Sequence, residues 1–173
     1  ELIEAVAAND ETLMEKYFEQ GELDEDDMKT GLNKAMIQRD IFPLFCLSAE
    51  RNMGSGRLMG FIDNVCPSAN EMPPQIAKNG EKVKCDSNEP PCIFIYKTTN
   101  ESHVGELSFF KVYAGTVKSG MELENENTGV TEKLNQLFLI EGNKRTNVNE
   151  LVAGDIGATL KLKNTHVNNT LHA

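Results

Sequence analysis

A proline-rich stretch at residues 67–91 constrains the fold of this chain more than any other feature. It holds five of the six prolines, and its apolar residues follow neither a helical nor a strand period. Before it, apolar residues recur at three- and four-residue intervals. After it, they alternate in short runs. The sequence therefore predicts two unlike domains, at residues 1–67 and 92–173, joined by a linker at residues 68–91.

The first thirty residues predict two helices. In the first, apolar residues keep helical spacing as far as a stop at Gly21. Asn9 and Asp10 are both good N-caps and could break this helix, but we expect it to be continuous. The second begins at Asp24, whose side chain can cap the amides near Asp27. Its predicted buried stripe is Met28, Leu32, Ala35 and Met36.

Residues 41–47 form an apolar run too short for such a helix, and they predict a strand buried on both faces. A polar loop follows, and then a third helix that ends at Pro67. Its apolar positions are Leu58, Phe61, Ile62 and Val65. A buried strand, a loop and a packed helix are typical of the last unit of an α/β domain.

Residues 92–173 predict a small closed all-β barrel. Strands are expected at 92–98, 107–114, 117–123, 130–140 and 151–162, separated by glycine- and asparagine-rich turns. Within the second strand the inward set slips from Leu107 and Phe109 to Phe110 and Val112, which predicts a β-bulge there.

The charge of the chain is concentrated near its start. Residues 1–30 contain eleven acids and two bases, whereas the whole chain has a net charge of −10. On a continuous helix, Glu4, Glu11 and Glu15 would lie along one side. Such an acidic stripe is either a solvated face or a docking surface for a basic partner.

Several classes of function are excluded. No apolar run approaches the roughly 20 residues of a membrane span. The four cysteines lack zinc-ligand spacing, so we expect no metal site and read Cys46 and Cys66 as small buried thiols. With no such run, we expect a soluble intracellular segment. Because no Met precedes Glu1 and a helical pattern is already under way there, we expect this segment to be a piece of a longer protein.

Short motifs along nearly the whole chain resemble elongation factor G, the translocation GTPase of the bacterial ribosome. Before the linker they are LIEAV (2–6), ETLMEKY (11–17), CLSA (46–49) and FIDNVCPS (61–68). In the predicted barrel they are VGELSFFKVYAG (104–115), NKR (143–145) and AGDI (153–156). The resemblance implies the end of a P-loop GTPase domain with its helical insert, followed by β-barrel domain II.

The resemblance also implies GTP and Mg²⁺ as cofactors of the full-length enzyme. In this segment, backbone groups of Ser48, Ala49 and Glu50 would complete the guanine pocket. The chain contains neither the phosphate-binding Gly-x-x-x-x-Gly-Lys-Ser/Thr loop nor the base-reading Asn-Lys-x-Asp motif. We therefore expect the segment alone to have no catalytic residues, to bind no GTP tightly and to hydrolyse none.

The resemblance implies the ribosome as partner and the cytoplasm as location. We expect no DNA or membrane partner, and we expect the segment to be a monomer. Glu4, Glu11 and Glu15 would dock the mobile stalk protein of the large subunit, and Lys144 and Arg145 would contact small-subunit ribosomal RNA. A net charge of −1 over residues 92–173 gives the RNA contact little support.

Two alternatives remain within this resemblance. One is a rescue, recycling or antibiotic-protection relative, and the other is a paralogue that lost hydrolysis and regulates the ribosome by binding. At residues 168–171, NNTL stands where relatives show Gly-Asp-Thr-Leu, which favours a divergent paralogue.

Overall fold

The computed structural model describes residues 1–101 and 105–173, so Val104 of the resemblance lies outside the described residues. The described chain forms two compact units, Glu1–Met72 and Pro73–Ala173. The first unit is helical and the second is built of strands, and the boundary falls within the expected linker. Among the described residues, no helix has the length and apolar character needed to cross a bilayer.

The first unit contains four helices: α1 (Leu2–Ala7), α2 (Glu11–Gln20), α3 (Glu25–Gln38) and α4 (Ser55–Asn64). The expectation of one continuous first helix is wrong, because the chain breaks between α1 and α2. The Asp10 carboxylate caps α2 by accepting hydrogen bonds from the amides of Thr12 (2.9 Å) and Leu13 (3.2 Å). It also pairs with Lys34 of α3. Because Asp10 stands at the N-cap of α2, its carboxylate does not lie within a continuous helix, where it would have no such partners.

The predicted end of α2 and start of α3 match the structure, whereas α4 ends at Asn64, before the predicted stop at Pro67. Gly21 ends α2 at a φ of 77°, a left-handed conformation that glycine adopts without strain. Asp24 begins α3 with a capping box, accepting from the Asp27 amide at 2.8 Å. Gly31 brings α3 close to α1, since a Cβ there would lie 2.3 Å from Val6 Cγ1. Of the predicted α3 stripe, Ala35 is buried, whereas Met28, Leu32 and Met36 are half-buried.

The predicted buried strand at residues 41–47 is not formed. This segment has no regular secondary structure, and Phe42 and Leu44 are 78% and 92% exposed. Cys46 is also exposed, contrary to expectation. A strand needs a neighbouring strand with which to exchange backbone hydrogen bonds, and residues 1–72 contain no strand that could serve as one. The apolar stripe of α4 is also only partly buried. Ile62 is exposed, and Val65, which is buried, lies just beyond the end of the helix.

The described residues of the second unit form twelve strands, the first two of which make a short hairpin inside the expected linker. The strands are β1 (Gln75–Ile76), β2 (Lys82–Val83), β3 (Cys92–Glu101), β4 (Gly105–Ala114), β5 (Thr116–Lys118), β6 (Glu122–Asn125), β7 (Val130–Lys133), β8 (Leu137–Glu141), β9 (Lys144–Val148), β10 (Glu150–Val152), β11 (Ile156–Leu160) and β12 (Thr170–His172). Eight of them form one antiparallel sheet in the order β7-β6-β12-β3-β4-β11-β8-β9, and β10 pairs with β5. The all-β barrel expectation is thereby confirmed.

Three of the five predicted strands are each two shorter strands. Turns divide 117–123 into β5 and β6, 130–140 into β7 and β8, and 151–162 into β10 and β11. At the turn Ala153-Gly154-Asp155, Gly154 adopts a φ of 98° and the Asp155 carboxylate accepts a hydrogen bond from the Val152 amide at 2.8 Å. The polar strand β9 and the three-residue β12 were not predicted.

The bulge falls where the slip in β4 indicated, but the extra residue lies on the neighbouring strand. Ile95 pairs with Phe110 and Lys97 pairs with Phe109, so Tyr96 of β3 has no partner in the β4 register. This shift lets one apolar set face a common core of Ile93, Ile95, Phe110, Val112, Val117, Leu123, Leu134, Leu137, Leu151, Leu162 and Leu171.

Two buried polar side chains anchor the segment before β12. Glu132 of β7 accepts hydrogen bonds from the amides of Lys163 and Asn164, and Asn125 of β6 donates to the Thr165 hydroxyl oxygen at 3.0 Å. Since each lies in the sheet, the irregular segment at residues 163–169 is fixed to the strands by side chains.

Candidate functional site

The loop at residues 48–53 is a tight turn closed by its own backbone. Ser48 and Met53 exchange hydrogen bonds of 3.0 and 2.9 Å, and the Asn52 amide donates to the Ala49 carbonyl at 3.1 Å. Asn52 adopts a φ of 50°, which asparagine tolerates better than most residues. Within the described part of the chain, the amides of Ala49 and Glu50 donate to no acceptor. The turn therefore presents two N–H groups that can donate hydrogen bonds to a ligand carbonyl oxygen.

The three predicted stalk-docking acids are all exposed, but they do not share one helix. Glu4 lies on α1, whereas Glu11 and Glu15 lie one turn apart on α2. The expected single stripe is therefore limited to Glu11 and Glu15, because the break at Asp10 places Glu4 on another element. Among residues 1–101 and 105–173, neither Glu11 nor Glu15 has an ion-pair partner.

Ion pairs engage the acids at the start of α3. Lys16 of α2 contacts Asp24 at 2.9 Å and also pairs with Asp27. The Lys16 ammonium lowers the pKa of the Asp24 carboxyl to about 2, helped by the hydrogen bond from the Asp27 amide. Lys29 pairs with Glu25 and Asp26 along α3. These pairs leave Glu11 and Glu15 as the accessible acids of α2's first two turns.

Sequence reasoning missed the cluster of Lys16, Asp24 and Asp27. The capping box of Asp24 and Asp27 is readable from their spacing, but Lys16 lies on the preceding helix and reaches them only when α2 and α3 are packed. Among the described residues, no group of three or more His, Cys, Asp or Glu side chains could hold a metal ion.

Lys144 and Arg145 begin β9 instead of lying on the turn itself. The two-residue turn is Gly142-Asn143, with Gly142 at a φ of 58°. Lys144 is exposed opposite Glu141, and Arg145 is half-buried opposite Ile140. The hairpin thus presents one freely accessible cation, Lys144, beside a partly enclosed one.

The divergent residues 168–171 keep an ordered turn. Asn168 takes the left-handed conformation with a φ of 70°, and the Asn169 side-chain oxygen accepts from the His166 amide at 2.9 Å. Thr170 and Leu171 then enter β12. The asparagine pair can therefore supply the left-handed backbone and the side-chain acceptor that Gly-Asp would give.

Comparison with known proteins gives a family for the strand-rich unit. The family model described as elongation factor G domain 2 matches residues 90–173. This range includes all strands from β3 to β12, together with Lys144 and Arg145. The strand-rich part of the second unit, residues 90–173, is therefore similar to domain 2 of elongation factor G.

A solved structure shares the fold of the chain as a whole. It is a crystal structure of a protein from Thermus thermophilus, with a TM-score of 0.76 and 24% sequence identity. The match covers 99% of this chain but 24% of that one, so the chain spans about a quarter of the matched protein. Residues 90–173 thus match the elongation factor G domain 2 family, and the chain as a whole shares the fold of the corresponding part of the solved structure.

Proposed function

We propose that the chain is a segment of an elongation-factor-G-like translational GTPase that promotes ribosomal translocation in the cytoplasm. The observation that carries this proposal is the domain 2 family match over residues 90–173, directly after a helical unit. In this proposal, residues 1–67 are the end of the GTPase domain with its insert, residues 68–91 are the linker and residues 92–173 are domain II.

The open apolar surface of the helical unit supports the assignment of residues 1–67. Phe42 and Leu44 are largely exposed, and Met59 and Ile62 of α4 are exposed as well. Monomeric proteins rarely leave several large apolar side chains together in water. In the proposed full-length protein, residues 41–47 would pair as a strand with the remainder of the GTPase domain and cover them.

The proposed nucleotide contact uses the backbone of Ser48, Ala49 and Glu50. The free amides of Ala49 and Glu50 support it, since an N–H group can donate to the guanine carbonyl oxygen whatever the side chain is. GTP and Mg²⁺ would be held mainly by residues outside this chain. The segment alone then has no phosphate-positioning groups and no catalytic residue.

The proposed ribosome contacts are a stalk-docking surface and an RNA contact. Glu4, Glu11 and Glu15 would face the basic stalk protein of the large subunit, and the exposure of all three carboxylates supports this. Lys144 and Arg145 would contact small-subunit ribosomal RNA, with Lys144 reaching a phosphate as a point charge. We propose that the segment is a monomer and that it has no DNA or membrane partner.

Charge reversal tests the stalk-docking surface. Changing Glu4→Lys and Glu11→Lys together in the full-length protein should lower the association rate with the stalk protein about tenfold at low salt, because exposed charges mainly steer encounter. Stopped-flow measurements at two salt concentrations would give the rate. The matched control, Glu81→Lys with Glu122→Lys, makes the same charge change at two other exposed positions. Equal rates for the two double variants would instead assign the acids to a solvated face.

Ribosome-stimulated GTP hydrolysis tests the main proposal. The full-length protein should hydrolyse GTP faster when ribosomes are added, whereas calorimetry of the 173-residue chain should show no saturable GTP binding at micromolar concentration.

Ribosome binding without stimulated hydrolysis would favour the alternative, a regulator that lost its catalytic function. Stimulated hydrolysis without translocation would favour a rescue, recycling or protection factor. Micromolar binding of GTP by the chain alone would contradict the assignment of the phosphate site to residues outside it.

A further inference from the structure

The sequence contains a single Asn-Gly pair, Asn79-Gly80, and the structure places it in the turn between β1 and β2. Both residues are exposed. Gly80 adopts a φ of 86°, and a Cβ built there would meet no atom within 4 Å. Because residue 80 has no side chain, nothing on it shields its own backbone nitrogen from the side chain of Asn79.

The Asn79 side chain is folded over Gly80 by two hydrogen bonds to Glu81. The Glu81 amide donates to Asn79 Oδ1 at 3.0 Å, and Asn79 Nδ2 donates to a Glu81 carboxylate oxygen at 2.9 Å. The first bond closes an Asx turn, in which a side chain bonds its own backbone two residues further on. Such a turn brings Asn79 Cγ close to the Gly80 nitrogen, because that nitrogen lies within the ring that the hydrogen bond closes. The Glu81 amide also polarises the side-chain carbonyl towards attack.

One hydrogen bond opposes attack by the Gly80 nitrogen, since the Gly80 amide donates to the Ala77 carbonyl at 2.9 Å. The hairpin that holds this bond is short. Strands β1 and β2 pair over two residues each and, among the described residues, form a sheet of their own. A two-stranded hairpin is marginally stable in water, so we expect this turn to open locally and to release the Gly80 amide.

We propose that Asn79 is a site of spontaneous deamidation in which the Gly80 nitrogen attacks the Asn79 side chain. The Gly80 nitrogen gives its proton to hydroxide and forms a bond to Asn79 Cγ. The Cγ–Nδ2 bond then breaks, and Nδ2 takes a proton from water and leaves as ammonia. The product is a five-membered succinimide. Water opens this ring at either of its carbonyls, which gives an aspartate or an isoaspartate at position 79, and no electrons pass to an outside acceptor.

Incubation of the 173-residue chain in neutral buffer, followed by peptide mass spectrometry, tests the proposal. The peptide that contains Asn79 should gain the mass of an amide-to-acid exchange and should separate into aspartate and isoaspartate forms. Asn143 is the internal control, because it is exposed in the β8–β9 turn but precedes Lys144 instead of a glycine. It should react at least about tenfold more slowly, since a side chain on the following residue hinders the attacking geometry.

Gly80→Ala tests the identity of the nucleophile. Its Cβ hinders approach of the Gly80 nitrogen to Asn79 Cγ, so the conversion should slow about tenfold or more. The matched control is Gly120→Ala, which adds the same Cβ at a φ of 85°, also with no atom within 4 Å, and should leave the rate at Asn79 unchanged. Equal rates for Gly80→Ala and the unaltered chain would overturn the proposal.

Two further readouts do not depend on how a substitution affects the turn. The attacking nitrogen must lose its proton, so the rate at Asn79 should rise about tenfold between pH 7 and pH 8. Direct attack of water on the side chain would give aspartate alone, so isoaspartate identifies the succinimide route. Absence of conversion at Asn79, or aspartate without isoaspartate, would overturn the proposal.

Discussion

Gly115→Ala should lower the free energy of unfolding of the barrel by about 3 kcal/mol or more. Gly115 joins β4 to β5 with a φ of 73°, in the left-handed region that costs other residues about 1 to 2 kcal/mol. A Cβ there would also lie 2.5 Å from the Glu89 carbonyl oxygen and 2.6 Å from Pro91 Cα and N. These atoms all belong to the backbone, so no side-chain rotation can relieve the overlap.

The overlap matters because the turn at Gly115 is attached to the chain on both sides. Its amide donates to the Asp86 carbonyl at 2.8 Å, and its carbonyl accepts from the Ala153 amide at 2.9 Å. Moving the turn away from Pro91 would lengthen both hydrogen bonds. The substitution therefore either strains the backbone or releases residues 86–91 from the barrel.

Urea denaturation of Gly115→Ala and Gly120→Ala gives the comparison. Gly120 has a similar φ of 85°, but a Cβ there would meet no atom within 4 Å. Gly120→Ala should cost about 1 to 2 kcal/mol, the penalty of the left-handed conformation alone. The difference between the two variants measures the backbone overlap. If both cost the same, the close approach of residues 86–91 to the turn is not formed in solution.

Local chemistry was sufficient to predict the helix ends that depend on neighbouring residues. Asp24 and Gly21 act within a few positions of themselves, and both were predicted from their residue types and spacing. Asp10 is also a local cap, but the apolar stripe on both sides of it predicts a continuous helix. Lys34, twenty-four residues away, adds an ion pair that no local pattern shows.

Elements that depend on distant partners could not be predicted in the same way. Strand β12 has three residues and exists because it pairs with both β3 and β6. Strand β9 is polar and, among the described residues, pairs with β8 alone at the edge of the sheet, so it lacks the apolar signal of a buried strand. Residues 41–47 show the opposite case, a strong strand pattern that has no neighbouring strand within residues 1–72.

The candidate sites also differ in whether local residues or distant strands determine them. The positions of Ser48, Ala49 and Glu50, and of Lys144 and Arg145, came from a resemblance carried by short motifs, and the structure gives their local geometry. A cleft lined by Leu107, Phe109 and Ile140 combines residues of β3, β4 and the β8–β9 hairpin, which extend in the sequence from Thr99 to Arg145. Its apolar wall was not predicted, because only strand pairing brings Phe109 near Ile140.

Glu132→Ala should destabilise the barrel by about 3 kcal/mol, because it leaves the buried Thr165 hydroxyl and two part-buried amide donors without an acceptor. Glu132 is 5% exposed and has no ion-pair partner among the described residues. Its carboxylate accepts from the Lys163 amide at 3.3 Å, from the Asn164 amide and from the Thr165 hydroxyl at 3.2 Å. Each unsatisfied buried donor costs about 1 to 3 kcal/mol, and relief of the buried charge offsets part of the sum.

Amide hydrogen exchange would locate the effect that urea denaturation measures. The amides of Lys163 and Asn164 should exchange faster in Glu132→Ala, whereas residues 168–171 should keep their protection. Asn125 remains as a second anchor, since its side-chain amide donates to Asn169 Oδ1 at 3.0 Å. Glu122→Ala is the matched control, because that carboxylate is exposed on the neighbouring strand and its removal should change stability by less than about 0.5 kcal/mol. Equal stability losses for Glu132→Ala and Glu122→Ala would mean that the buried carboxylate does not anchor residues 163–165, and that segment would have to be held by Asn125 alone.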